Sequence, residues 1–438
     1  MALRTARPTA PPPAPEWRPD HARGPLGADV LEEVQASEAL ALCLWRDVRN
    51  VHLWLAADGA VDDELFRSGS WRTRERLAQA GDDAPDIADA LHALDAPHLA
   101  ERREIGAACD DVYRWSEAQG YVLTALRFAE LAANVVLEDP AAANNAGWMC
   151  RRAALPDRST AWYQRAYVLA RHARSDPEMI RALLGYGSLM KDLGRENEAR
   201  PYYERAARRA VRSGRRREAA SARHYLLGLA AESGAYEEGE RHAEQALHLY
   251  PVKDPRIPYL VHDYAFLLMR QRFYSPALRL LEKLSAATFK PDERILVYSS
   301  IAWAAAGAGV RAKFDGAERT VLQLVEDSGE FAAAAYLHLG KGARILERWR
   351  SATEYARKAH EVAQARQDAT LERVTAMLMA KTEAQTPATP EQLPPHPERV
   401  DALSRWFILR LRTWKPHDLT SPGLNPSGAQ VRLRAAGS

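Results

Sequence analysis

The sequence predicts an all-α protein, and three observations carry that prediction. Ala, Leu, Arg and Glu, all strong helix formers, supply most of the length. Apolar residues recur at helical spacing through each segment expected to fold. From about residue 107 a two-helix pattern repeats down the chain, which marks a stacked-hairpin architecture.

The elements follow in order. Residues 1–28, with Pro8, Pro11, Pro12, Pro13 and Pro15, read as a disordered leader without the apolar core of a signal peptide. Residues 29–106 read as an N-terminal helical region. Leu31, Val34, Leu40, Leu44, Trp45, Val48 and Val51 suit one or two packed helices, and a second group from Trp71 to Leu94 is broken by Gly81 and Pro85. Residues 107–385 form an array of about seven hairpins closed by a capping helix near Leu371–Thr382. Residues 386–438 hold a Pro-rich linker, an amphipathic helix from Arg399 to Trp414 and a disordered tail.

The clearest repeat is Leu183 to Ala206. Leu183, Gly187 and Met190 share a face of a first helix, Gly194 turns the chain, and Ala199, Tyr203 and Ala206 share a face of a second. The next copy supplies Gly234, Gly239, Ala243, Ala246 and a closing Pro251, and upstream copies supply Gly120, Ala125 and Ala129, then Gly147, Ser159 and Tyr163. The final anchors Ala132, Ala166, Ala206, Ala246, Leu284, Leu324 and Ala359 are 34, 40, 40, 38, 40 and 35 residues apart. Glycine permits the reversal, small residues let the helices approach, and proline stops the second helix. The pattern resembles the tetratricopeptide repeat (TPR) family, whose period is about 34 residues. The resemblance implies a right-handed α-solenoid. The longer spacings imply lengthened helices or longer loops such as Arg212–Ser221.

Sixty basic and 58 acidic residues leave a formal charge of +2, against bulk binding of nucleic acid. Cys43, Cys109 and Cys150 are too few and too scattered for a disulfide framework or a zinc site, and are expected as buried thiols in a cytoplasmic protein. No stretch matches the roughly 20 apolar residues of a membrane span. The sequence has no HExxH, GxSxG or GxxxxGK[ST] motif. The "LGKGAR" stretch, Leu339–Arg344, falls inside a repeat helix. His242 and His248 lie on different helix faces and read as surface residues, and Asp110-Asp111 reads as a carboxylate pair near a helix start. No catalytic residue, cofactor or metal is expected.

In the TPR family the first helices line a concave surface where ligands dock. Carried over hairpin by hairpin, the resemblance implies partner-binding positions at Asn144, Trp148 and Arg151, then Arg181, Ser188 and Lys191, then His224. Tyr259, His262, Phe266 and Arg270 follow, with Lys341 and Arg344 last. This set is nearly free of carboxylates and fits a protein or peptide partner with acidic groups. The expected function is a non-enzymatic scaffold or adaptor holding a peptide segment of a partner. The alternative is a peptide-sensing regulator that uses the N-terminal helices as effector. The basic run Arg208–Glu218, interleaved with glutamates, reads as a solvated helix face.

Overall fold

The computed structural model describes residues 11–15, 28–34, 38–57, 87–284, 294–325, 331–365 and 368–413. Every regular element among them is helical. The chain divides into two compact units, residues 1–186 and 187–438.

The first unit opens with α1 (Ala28–Glu33), α2 (Glu38–Ala56) and α3 (Ala88–Asp95). Hairpins α4/α5 (Arg102–Gln119, Val122–Val135) and α6/α7 (Pro140–Arg152, Pro156–His172) follow. The N-terminal helices are tied to the array by polar contacts as well as by packing. Both carboxylate oxygens of Glu33 accept backbone N–H bonds at the start of α5, from Leu123 at 2.9 Å and Thr124 at 2.7 Å. Those donors are left over by any helix start, so a residue some 90 positions away serves as the cap. Arg127 binds Asp29 at 2.7 Å, and Arg46 pairs with the buried Asp95.

Helix α8 (Asp176–Asp192) crosses the boundary between the units. Beyond it lie α9 (Glu196–Arg212), α10/α11 (Arg216–Ser233, Tyr236–Leu249) and α12/α13 (Ile257–Arg270, Tyr274–Leu281). Then come α14/α15 (Arg294–Gly307, Arg311–Leu324), α16/α17 (Ala332–Ile345, Trp349–Ala365), α18 (Ala369–Glu383) and α19 (Pro397–Thr413). The chain is thus an all-α array of helical hairpins. Glycine sets their approach as anticipated. A Cβ on Gly187 would stand 2.6 Å from the Tyr203 ring, and one on Gly147 would stand 2.9 Å from the Tyr163 ring, so each second-helix tyrosine occupies a first-helix glycine notch. Gly194 has φ +70°, the left-handed turn that favours glycine.

Several expectations need correction. The long spacings have both sources: helices of 17 and 18 residues around α8 to α10, and longer connections on either side of α12/α13, at residues 250–256 and 282–293. Only residues 213–215 separate α9 from α10, because Arg212 and Arg216–Ser221 are helical. The 1–28 leader is not disordered throughout: Arg165 donates to the Pro12 carbonyl at 2.5 Å. Within the Pro-rich linker, residues 386–392 are bonded to the array, Thr386 and Pro387 through Arg344 and Gln392 through the Arg272 carbonyl. His242 is buried, not a surface residue, and bonds Glu238 at 3.3 Å. Asp110 sits mid-helix, where it binds Arg114 and Asn145. The basic run does carry its own counter-ions, in pairs such as Arg208–Glu204 and Arg217–Asp254. The three cysteines are buried. Among the described residues no helix is long and apolar enough to cross a membrane. Gly81, Pro85 and the tail from Lys415 lie outside the described residues.

Candidate functional site

The expected concave positions separate into two groups. In the first unit they are used to join hairpins. Asn144 is fully buried and donates to Glu178, to the carboxylate at 2.7 Å and the backbone carbonyl at 3.1 Å. The Trp148 indole N–H donates to Glu117 at 2.9 Å, and Arg152 meets the same carboxylate at 3.3 Å. Arg151 lies 4.6 Å over the Trp148 ring. Arg181 donates to Asn145 and sits 3.8 Å from Glu178. The chosen positions themselves are nearly free of carboxylates, but neighbouring residues bring carboxylates against them. Glu117 and Glu178 lie close in space to the cations without belonging to the positions chosen by register.

In the second unit Ser188 and His224 are also buried, which corrects their expected exposure. Ser188 bonds the Tyr203 hydroxyl at 3.1 Å, and Lys191 pairs with Glu232 at 3.0 Å. His224 begins a polar seam across α10, α12, α14 and α16. Its Nε2 is 3.0 Å from Asp263, whose other oxygen is 3.2 Å from His262 Nδ1. His262 Nε2 reaches Ser300 Oγ at 3.1 Å, and His338 Nδ1 reaches Ser299 at 3.1 Å. Burial works to raise the Asp263 carboxyl, but the bonds from His224 and His262 outweigh it and hold it well below the usual carboxylate range. The order Asp263–His262–Ser300 has the connectivity of a hydrolase triad. Ser300, however, is completely buried, so its hydroxyl is not presented to a substrate. The seam joins helices. Tyr259 is half-buried against the core cluster beneath.

Past that seam the C-terminal ends of the first helices open onto a cavity of ≈560 Å³. Arg270 comes from α12, Trp303 from α14, Lys341 and Arg344 from α16, and Arg373, Met377 and Lys381 from α18, with Arg272 from the α12–α13 turn. Six Lys and Arg residues line the cavity against two carboxylates, Glu196 and Glu232, a formal excess of four positive charges. Glu232 is already engaged by Lys191. Tyr236, Tyr274 and Trp303 give the walls aromatic surface, and Met269, Ile345, Val374 and Leu378 add aliphatic surface. Lys341 Nζ stands 4.2 Å from the Trp303 ring centroid, and Phe266 meets Trp303 edge-on at 6.0 Å. Burial, then repulsion from Arg270, Arg344 and Lys381, brings the Lys341 ammonium down to about 7. Arg270 donates to the Glu232 carbonyl at 3.3 Å. The buried Nε atoms of Arg270 and Arg344 have no hydrogen-bond partner.

Three of the cavity's cations, Arg270, Lys341 and Arg344, were legible in the sequence. Arg272, Arg373 and Lys381 were missed. Arg272 stands in the turn between two helices, and α18 was taken only as a cap, although its Leu378 does close the stack against Leu337, Ala356 and Ala359. Among the described residues no group of three or more His, Cys, Asp and Glu side chains is placed to hold a metal ion.

No family model and no curated protein matches the sequence. Among solved structures the chain is similar to the Rap conjugation gene regulator of the plasmid pLS20 in complex with the Phr* peptide. The identity is 13%, with 82% of this chain and 96% of that one covered and a TM-score of 0.42. It is also similar to a circular tandem repeat protein with novel repeat topology and enhanced subunit contact surfaces. That match is again 13% identical and covers 87% and 90% of the two chains, with a TM-score of 0.16.

Proposed function

We propose that this chain is a non-catalytic, TPR-like scaffold or adaptor of the cytoplasm that holds an acidic peptide segment of a protein partner. The observation that carries this reading is the cavity of the second unit, where six cations and three aromatic rings face two carboxylates. A site of this composition pairs carboxylates through Arg and Lys and seats apolar side chains against the rings. Its ≈560 Å³ suits a few side chains rather than a folded surface. The near-neutral whole chain supports a local anion site over a nucleic-acid footprint.

The test is fluorescence anisotropy of the full chain with labelled hexaglutamate and hexaglutamine. Hexaglutamate is expected to bind the more tightly, and the difference is expected to shrink as salt rises from low to physiological strength. Equal binding of the two peptides, or binding of neither, overturns the reading.

A further inference from the structure

Helix α18 ends at Glu383, and Gln385, with φ +47°, turns the chain out of it. The strap that follows, residues 386–394, contains Pro387, Pro390 and Pro394, which keep it extended. Ala388 and Thr389 form part of the cavity wall. The strap is fastened at its two ends. At the first, Arg344 Nη1 donates to the carbonyls of Thr386 at 3.0 Å and Pro387 at 3.4 Å. At the second, Ser275 Oγ donates to Glu391 at 3.0 Å and the Gln392 N–H donates to the Arg272 carbonyl at 3.0 Å.

Arg344 therefore faces two ways. It lines the cavity, and it holds the strap through neutral carbonyls. A carboxylate entering the cavity offers that guanidinium charge-assisted bonds, which are about twice as strong as those to a neutral acceptor. A carboxylate that binds end-on through both Nη atoms draws on the same Nη1 that holds the two strap carbonyls. We propose that the strap reports occupancy of the cavity: an anionic ligand takes Arg344 from Thr386 and Pro387 and frees residues 386–389, while the Ser275–Glu391 and Gln392–Arg272 bonds keep the second end fastened. This inference rests on the acidic-ligand reading above. Helix α19 stays docked when the strap loosens, because its own contacts are separate. Phe407 stacks on Tyr264 with centroids 4.9 Å apart, and Arg410 donates to the Tyr250 carbonyl at 2.7 Å.

The experiment is hydrogen exchange of the full chain with and without saturating hexaglutamate, read at the backbone amides of Thr386, Ala388 and Thr389. Exchange there is expected to rise roughly two- to tenfold, the range for losing one net hydrogen bond. Amides of α19 are expected to stay unchanged. Arg344→Met, which removes the donor and keeps an apolar stem, is expected to give the same rise without ligand and with unchanged helicity. If hexaglutamate binds and the strap exchanges no faster, the inference is wrong and the acidic-ligand reading stands. If hexaglutamate does not bind, the reading fails and takes the inference with it. An Arg344→Met protein with unaltered strap exchange overturns the anchoring on its own.

Discussion

Trp148 in the first unit and Trp303 in the second both sit on first helices, each with a cation over its ring, at 4.6 Å for Arg151 and 4.2 Å for Lys341. Their surroundings differ in one respect. The Trp148 indole donates to a carboxylate, Glu117, which also receives Arg152. Trp303 packs instead against the neutral Tyr274 ring, with centroids 6.4 Å apart, and the nearby cations Arg270, Arg344 and Lys381 repel Lys341. The same side-chain vocabulary gives a closed seam where counter-charges are supplied internally and a cavity of excess positive charge where they are not. Recognition is expected where charge is left uncompensated, because a ligand must supply there what the fold withholds.

The largest effect should come from breaking a closed seam. Glu130 on α5 is 2% exposed and gathers Arg158 at 2.6 Å, the Trp162 indole N–H at 3.0 Å and the Cys150 thiol at 3.4 Å. Glu130→Ala leaves a half-buried guanidinium and a buried indole N–H without that acceptor. The expected loss is about 3 kcal/mol in denaturant unfolding, with hexaglutamate binding by the folded protein retained. A loss under about 1 kcal/mol would show that the seam is worth no more than a surface pair.

Charge reversal tests the comparison itself. Arg270→Glu should weaken hexaglutamate binding by about 2 kcal/mol, roughly thirtyfold, as expected for a central interface arginine. Arg151→Glu should leave binding unchanged. Equal losses from the two would erase the distinction between the units.

The sequence made the hairpins legible because helix–helix approach is written locally. Gly147 and Gly187 announce the notches that Tyr163 and Tyr203 fill, and the spacing of anchors requires no knowledge of distant contacts. The site was only half legible. Register identified which residues face the first-helix side, but not which of them find partners. Asn144 and Trp148 donate to Glu178 and Glu117, 34 and 31 positions away, and no single-helix pattern encodes that pairing. Arg373 and Lys381 reach the cavity from a helix whose sequence reads as a cap, and the strap's bonds to Arg344 span 42 and 43 positions.

A smaller effect follows from pH. The folded Lys341 loses its proton near 7, whereas an unfolded lysine keeps its proton to about 10.4. Between those values the unfolded state binds the extra proton, so stability of the unliganded chain should rise with pH across this window. Anion affinity should move the opposite way. A neutral Lys341 loses its charge-assisted bond, so hexaglutamate should bind about fivefold more weakly at pH 9 than at pH 6.5. The midpoint should lie above 7, since the ligand favours the protonated form. His338, held well below its usual range by burial and by Lys341, is already neutral in this window. Lys341→Arg should therefore flatten the profile, and a slope that survives the substitution would assign the titration to another group.

The smallest effect is expected on the second helices, where charges are compensated and also solvated. Glu204 on α9 lies 3.4 Å from Arg208 one turn later, and Glu244 on α11 lies 4.0 Å from Arg399. Water competes for both pairs, so each is worth roughly 0.3–0.5 kcal/mol. Glu204→Gln and Glu244→Gln should each shift unfolding by no more than that and leave hexaglutamate affinity unchanged. Removing an acid anywhere raises the net charge by one and strengthens long-range attraction slightly. A uniform small gain at low salt that disappears at physiological strength would thus be consistent with a site elsewhere. A loss of affinity has no such origin. If either substitution weakens binding at physiological salt while Arg270→Glu does not, the ligand sits on the second-helix face, and the uncompensated cations of the cavity are not its receptor.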